Sequence, residues 1–403
     1  MRGAPPLCRD GRGDAAVRAV IERSLGFLRD RLGPRLLGLI LTGSFSRGEG
    51  TVLPVNGHLR VLGDVEFLVV LPRRRDERAL RPALARWSRE AGAALGAPDL
   101  VVDLEFGPVD EAYLRHKTPP SIFVHDLRTH GRVVWGPRDL LQRIPPFAAS
   151  AIPREDALHL LFNRTIEQLE SWDRVDALHG EALLDAAYQR LKLRLDLAGS
   201  ALAAAGEHVT SYTERPRAFA ALLAREPALA ALLPPGFEDD LAQAAAAKVS
   251  PDADEVLPPG PEEAQRKWVR EQIVAGVPAV SALLRWQLGR LLGGDAPLPD
   301  LLTRWTQAQP WRPRARQWAK LALHPMPAPL PLSAPRAAAL ALRSTPRALV
   351  HAAGALAYLT LDDGAPPSGA AVRLLPLAGP PPMSARAERA AVIAFWRWCV
   401  RND

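Results

Sequence analysis

The sequence predicts an α+β protein: an N-terminal mixed sheet with flanking helices, followed by a mostly α-helical C-terminal region. Three observations predict it. Apolar runs of strand length, Leu36–Leu41, Val65–Leu71 and Leu100–Phe106, alternate with helical patterns early in the chain. After Pro153 the apolar residues recur mainly at helical spacing. Pro145-Pro146 separates the two regions, so the expected division is residues 1–145 and 146–403, with a further boundary near 250–260.

The elements follow in order. Asp14–Leu32 reads as a helix, with Ala16, Val17, Val20, Ile21, Leu25, Phe27 and Leu28 at helical spacing, and Gly33-Pro34 stops it. Leu36–Leu41 is a strand that ends in Thr42-Gly43-Ser44, and Phe45–Gly50 is a loop or short helix. Thr51–Leu62 is an inserted hairpin or loop, with Asn56-Gly57 a favourable hairpin turn. Val65–Leu71 is the second strand. Arg73–Leu95 is a helix ended by Gly96–Pro98, and Leu100–Phe106 is the third strand. Ile122–Asp126 and Arg132–Trp135 are further short segments, the latter the last strand of the sheet.

Long helices follow at Glu155–Arg174 and Glu181–Ala205. Others are expected at Arg217–Leu233, Phe237–Val249, Glu262–Leu292, Leu301–Leu323 and Arg386–Val400. Pro234-Pro235, Pro258–Pro261 and a Pro-rich loop at 325–335 break the pattern, and 364–384 is a loop rich in Pro, Gly, Ala and Ser.

Charge and composition bound the function. The chain carries 51 Lys+Arg against 44 Asp+Glu, a net charge of +7. Only five of the basic residues are lysine, which points to a compositional bias towards arginine more than to a nucleic-acid surface. The excess is concentrated in residues 1–145, which suits a triphosphate ligand. Two cysteines, Cys8 and Cys399, have no metal-ligand spacing and imply a reducing compartment. No apolar span of membrane length is present and the start lacks a signal core, so a soluble, cytoplasmic protein with no membrane partner is expected.

The chemistry is read from three short stretches. In a strand alternate side chains share a face, so Asp64 and Glu66 project together. Asp103 and Glu105 do the same in the third strand. Gly43-Ser44 offers close backbone approach and hydroxyl and N–H donors to a phosphate. A phosphate cradle beside paired carboxylates is what metal-assisted nucleotidyl transfer needs. The bland alternatives are exposed acidic strand residues and an N-cap serine.

An apolar strand, Gly43-Ser44, then Asp64-Val65-Glu66 and a third acidic strand at Asp103 together resemble the nucleotidyltransferase superfamily, of DNA polymerase β-like fold. The likeness is to the aminoglycoside-type, minimal nucleotidyltransferases with a helical C-terminal domain, and it covers roughly the first third of the chain. The nineteen residues between the Gly-Ser turn and Asp64 exceed the usual connection in the small aminoglycoside enzymes.

The resemblance implies a two-metal mechanism. Asp64, Glu66 and Asp103 would hold Mg²⁺, expected as two ions, around a nucleoside triphosphate, with ATP the expected donor. Glu105 would bind the second metal or act as general base; Asp103 could equally be the base. Gly43, Ser44, Arg47 and Lys192 are the nucleotide-binding candidates. A nucleoside monophosphate would pass to a hydroxyl acceptor, a small molecule or a protein, with release of pyrophosphate. The alternatives are a catalytically inactive nucleotide-binding or regulatory protein on the same fold, and a template-independent RNA nucleotidyltransferase. Nucleic acid is not the favoured partner.

Other motifs are weaker. His58, His116, His125 and His130 lack HExxH or i, i+4 metal spacing, although His125 and Asp126 could approach substrate. Arg304–Lys320 mixes three tryptophans with arginines, a composition that helix packing explains more readily than base stacking.

Overall fold

The computed structural model describes residues 5–95, 100–323, 330–361, 369–379 and 384–400. The stop signal expected at Gly96–Pro98 and much of the two loops expected at 325–335 and 364–384 lie outside them. The architecture is α+β, with a sheet in the N-terminal part and a mostly helical C-terminal region. The chain divides into two compact units.

The first unit comprises Met1–Pro153, Ala205–Ala218 and Asp240–Pro259. Its elements begin with α1 (Asp14–Leu32), β1 (Gly38–Leu41), α2 (Gly43–Arg47), β2 (Val52–Val55) and β3 (His58–Leu71). They continue with α3 (Arg74–Leu95), β4 (Leu100–Asp110), α4 (Ile122–His130) and β5 (Arg132–Trp135). The inserted stretch is a hairpin: β2 pairs antiparallel with the first residues of β3, Val55 opposite His58. Asn56 and Gly57 both have positive φ, 49° and 85°, as a two-residue turn of this hand requires. The second arm of the hairpin runs straight on into the acidic strand, which makes β3 the longest strand.

β3 organises the sheet. β4 runs parallel along one edge of it, from Leu59↔Leu100 to Leu71↔Asp110. Along the other edge lie β2 and then β1, both antiparallel, and β5 flanks β1 antiparallel. The sheet is therefore mixed. One face is closed by α1 and α3 over Val65, Phe67, Val69, Val102, Leu104 and Phe106. The opposite face carries Ile40, Leu68 and Val70 beneath Val124 and Leu127 of α4. The even positions of β3 thus read Asp64, Glu66, Leu68, Val70: two carboxylates, then two core residues under α4.

The second unit comprises Arg154–Ala204, Phe219–Asp239 and Gly260–Asp403. From Arg154 onward the chain holds α5 (Arg154–Arg174), α6 (Glu181–Ala204), α7 (Arg215–Arg225), α8 (Pro227–Ala230), α9 (Phe237–Val249) and α10 (Ala253–Val256), of which α10 and most of α9 belong to the first unit. These are followed by α11 (Glu262–Val274), α12 (Val277–Leu292), α13 (Leu298–Gln307), α14 (Trp311–Ala322) and α15 (Ala334–Ala341). The last are α16 (Pro346–Leu359), α17 (Ala370–Arg373) and α18 (Ala385–Cys399). The helix expected over Glu262–Leu292 is broken at Ala275-Gly276, where a side chain on Gly276 would collide with Leu193 and Tyr358. Pro310 likewise ends the pattern expected over Leu301–Leu323 and starts α14.

α16 is nearly all buried and packs against α5, α13 and α18. Gly354 lets it approach α5, since a Cβ there would meet Ile166 at 2.4 Å. Of the three tryptophans in Arg304–Lys320, Trp305 stacks on Phe162 and Trp318 donates to the Ser344 carbonyl, while Trp311 is exposed. Packing accounts for two of the three. Among the described residues no helix is long and apolar enough to cross a membrane.

Candidate functional site

The acidic face is built by strand register. Asp64 is the Cα partner of Asp103, and Glu66 is the partner of Glu105. Residues paired in parallel strands point to the same side. The four carboxylate residues therefore stand on one side of the β3–β4 pair, Asp64 and Glu66 half-buried, Asp103 and Glu105 exposed. Asp64 falls between the residues of β3 that pair with β2 and those that pair with β1.

The Gly-Ser turn faces this set. The Thr42 N–H donates to the Glu66 carbonyl at 2.9 Å, carrying the register of β1 up to the acidic residues. The Thr42 hydroxyl lies 3.3 Å from Glu66 Oε2. Gly43 has φ 68°, and a Cβ there would stand 2.7 Å from the same oxygen. A glycine is required twice over, by the left-handed backbone and by the carboxylate occupying the space. Ser44 is half-buried in the first turn of α2.

Arg47 sits differently from a free phosphate ligand. Its side chain is only 7% exposed, with Nε 3.4 Å from Glu49 and Nη1 3.5 Å from Asp126, and it lies over the Tyr212 ring. Burial works against its charge, but Tyr212, Asp126, Glu49 and Glu66 outweigh it and hold the guanidinium protonated beyond its ordinary range. Lys192 is on α6 in the second unit, half-buried. Glu49 braces the turn. It accepts from the Ser211 hydroxyl at 2.7 Å and the Tyr212 N–H at 3.0 Å, while Lys248 donates to its carbonyl at 2.9 Å.

Next to Arg47 is a group that the spacing of the sequence concealed. Asp126 Oδ1 accepts from His208 Nε2 at 2.7 Å and from the Thr210 hydroxyl at 3.0 Å. His125 Nδ1 stands 3.8 Å from the same oxygen, beyond hydrogen-bonding distance. α4 supplies His125 and Asp126, its first turn capped by Ser121, whose hydroxyl accepts from the Val124 N–H. His208 arrives from the segment Ala205–Ala218. Burial raises the Asp126 carboxyl, but the two imidazoles and Arg47 outweigh it and hold it well below the usual carboxylate range. Among the described residues, His125, Asp126 and His208 are the one set of three whose metal-ligating atoms lie within 4.8 Å of one another. The four strand carboxylates share a face without being drawn that close.

Comparison of the chain with protein-family models, with curated proteins and with solved structures gives no match. The functional reading therefore rests on the residues and their geometry.

Proposed function

We propose that this protein is a metal-dependent nucleotidyltransferase that moves a nucleoside monophosphate from a nucleoside triphosphate, with ATP the expected donor, to a hydroxyl acceptor and releases pyrophosphate. One observation carries the reading: Asp64 with Asp103, and Glu66 with Glu105, are paired in register on one face, and the Glu66 carboxylate lies against the glycine of the Gly43-Ser44 turn. A strand-borne acidic set and a phosphate-approachable turn are thereby joined in one place.

The donor set fits Mg²⁺, which prefers hard carboxylate oxygens together with substrate phosphates. Asp64, Glu66 and Asp103 would hold it, and when bound it would neutralise phosphate charge and acidify the acceptor hydroxyl. Gly43 permits the phosphate chain to approach the backbone, and Ser44 offers its N–H and hydroxyl as donors. Glu105 or Asp103 would take the acceptor proton as general base. Arg47 favours the reading through its charge, which the field of Glu66 helps to hold, not as a freely swinging phosphate ligand. The acceptor is a small molecule or a protein.

Asp64→Asn removes one charge and keeps the shape. Transfer should fall by at least about 100-fold, the scale of losing a group that stabilises transition-state charge, with the thermal melt unchanged. The measurement is mass-spectrometric detection of a nucleotide gained by a metabolite or lysate pool, supplied with each NTP and Mg²⁺. Undiminished transfer by Asp64→Asn would sink the assignment.

A further inference from the structure

We propose that His125, Asp126 and His208 form a binding site for a divalent transition-metal ion of the zinc class, separate from the strand carboxylates. The inference does not depend on nucleotidyl transfer. Two imidazoles and a carboxylate are the donor set such ions prefer, whereas Mg²⁺ seeks oxygen alone. The three ligand atoms already lie within 4.8 Å of one another.

A further observation points to an ion. His125 Nδ1 is a buried nitrogen with no hydrogen-bond partner, 3.8 Å from Asp126 Oδ1. A buried polar atom left in that state is costly unless something completes it. His208, 1% exposed at its side chain, turns Nε2 to the same carboxylate oxygen. Oδ1 is thus the point on which both rings converge, their centroids 5.3 Å apart at nearly a right angle.

The surroundings tune rather than block the site. Thr210 donates to Oδ1, and Arg47 approaches the other oxygen, Oδ2, at 3.5 Å, which leaves Oδ1 for the ion. Glu49 also pairs with Arg47 and offsets part of its charge. A tetrahedral ion with bonds of about 2.0–2.1 Å separates its ligands by about 3.3 Å. Binding therefore opens the His208–Asp126 pair from 2.7 Å by roughly half an ångström, displaces the proton between them to solvent or to the other ring nitrogen, and draws His125 inward. Three protein ligands leave a position for water. The ion would fasten the segment Ala205–Ala218 to α4.

The test uses the full-length protein stripped with chelator and titrated with Co²⁺, followed by Zn²⁺ competition and a thermal melt. Expected are visible ligand-field bands saturating at one equivalent, displaced by Zn²⁺, and a melt that rises with metal. His125→Gln, on a half-buried position and scored for folding by its metal-free melt, should weaken binding by at least about 10–100-fold, the range seen when even supporting partners are lost. His58→Gln should leave it unchanged. Failure of nucleotidyl transfer with Co²⁺ binding intact would refute the enzyme reading alone. Absence of a Co²⁺ spectrum, or a spectrum unaltered in His125→Gln, would overturn the site and leave His208 and Asp126 as a hydrogen-bonded clip.

Discussion

Position 43 sets the relation between turn and carboxylate. An alanine there meets two obstacles, a φ of 68° and Glu66 Oε2 at 2.7 Å from the new methyl. Gly43→Ala should cost about 1–2 kcal/mol in stability through the left-handed backbone, read by urea denaturation. Transfer should fall by more than that stability loss explains, because the methyl displaces Glu66; a folded, fully active Gly43→Ala would show that the contact is incidental. Lys248 makes a second residue-scale case. It is 2% exposed and donates to the Glu49 carbonyl at 2.9 Å and to Thr51 Oγ1 at 2.7 Å. Lys248→Met keeps the stem and leaves a buried acceptor unmet, so a loss of about 1–3 kcal/mol is expected, measured the same way. The strand carboxylates were legible in the sequence because alternation alone puts Asp64 with Glu66 and Asp103 with Glu105 on a face. His208 was not: nothing local to Glu207-His208-Val209 signals a partner on α4, and only the fold supplies one.

At the scale of elements, α16 shows what burial does to a titratable group. His351 is fully buried between α16 and α5, stacked on Phe162, with Nε2 3.1 Å from Asn163 Oδ1 and Nδ1 unpartnered. Burial, with the nearby charges of His159 and Arg347, holds its pKa well below 6.5. The imidazole is neutral in the folded chain, so the unfolded chain takes up the proton first as pH falls. Stability is then complete above about 6.5 and declines below it, by up to about 1.4 kcal/mol per pH unit. Denaturation midpoints measured at neutral pH and near pH 5 should show that decline, and His351→Leu should flatten it. An equal slope in the variant would locate the acid sensitivity elsewhere. Elements with their own punctuation were read closely from sequence: the hairpin from Asn56-Gly57, and α1 from its spacing and its Gly33-Pro34 stop. α4 is nine residues long, too short for periodicity to separate it from a strand, and appeared only as a short apolar segment.

At the scale of the whole molecule, the first unit is discontinuous in the chain. A linear reading finds the break at Pro145-Pro146, close to the observed Pro153, but proline and composition cannot reveal that Ala205–Ala218 and Asp240–Pro259 belong with the sheet, because what joins them is tertiary. Those segments supply His208 and Thr210 to Asp126, Ser211 and Tyr212 to Glu49, and Lys248 to the Glu49 carbonyl and Thr51. Two of the residues they satisfy are buried, Glu49 at 5% exposure and Thr51 at 0%, and Asp126 is half-buried. A fragment ending at Pro153 keeps all five strands of the sheet and the four strand carboxylates, yet strips Glu49, Asp126 and Thr51 of these partners at once. Each buried polar group so orphaned costs about 1–3 kcal/mol, more for the charged ones, and the sum rivals the 5–15 kcal/mol that holds a typical domain together. The expected outcome is that residues 1–153 alone show no cooperative urea transition and are rapidly digested by protease, while the full chain is resistant. A fragment that melts cooperatively and resists digestion would mean that the sheet is self-sufficient and that the two returning segments serve the site rather than the fold.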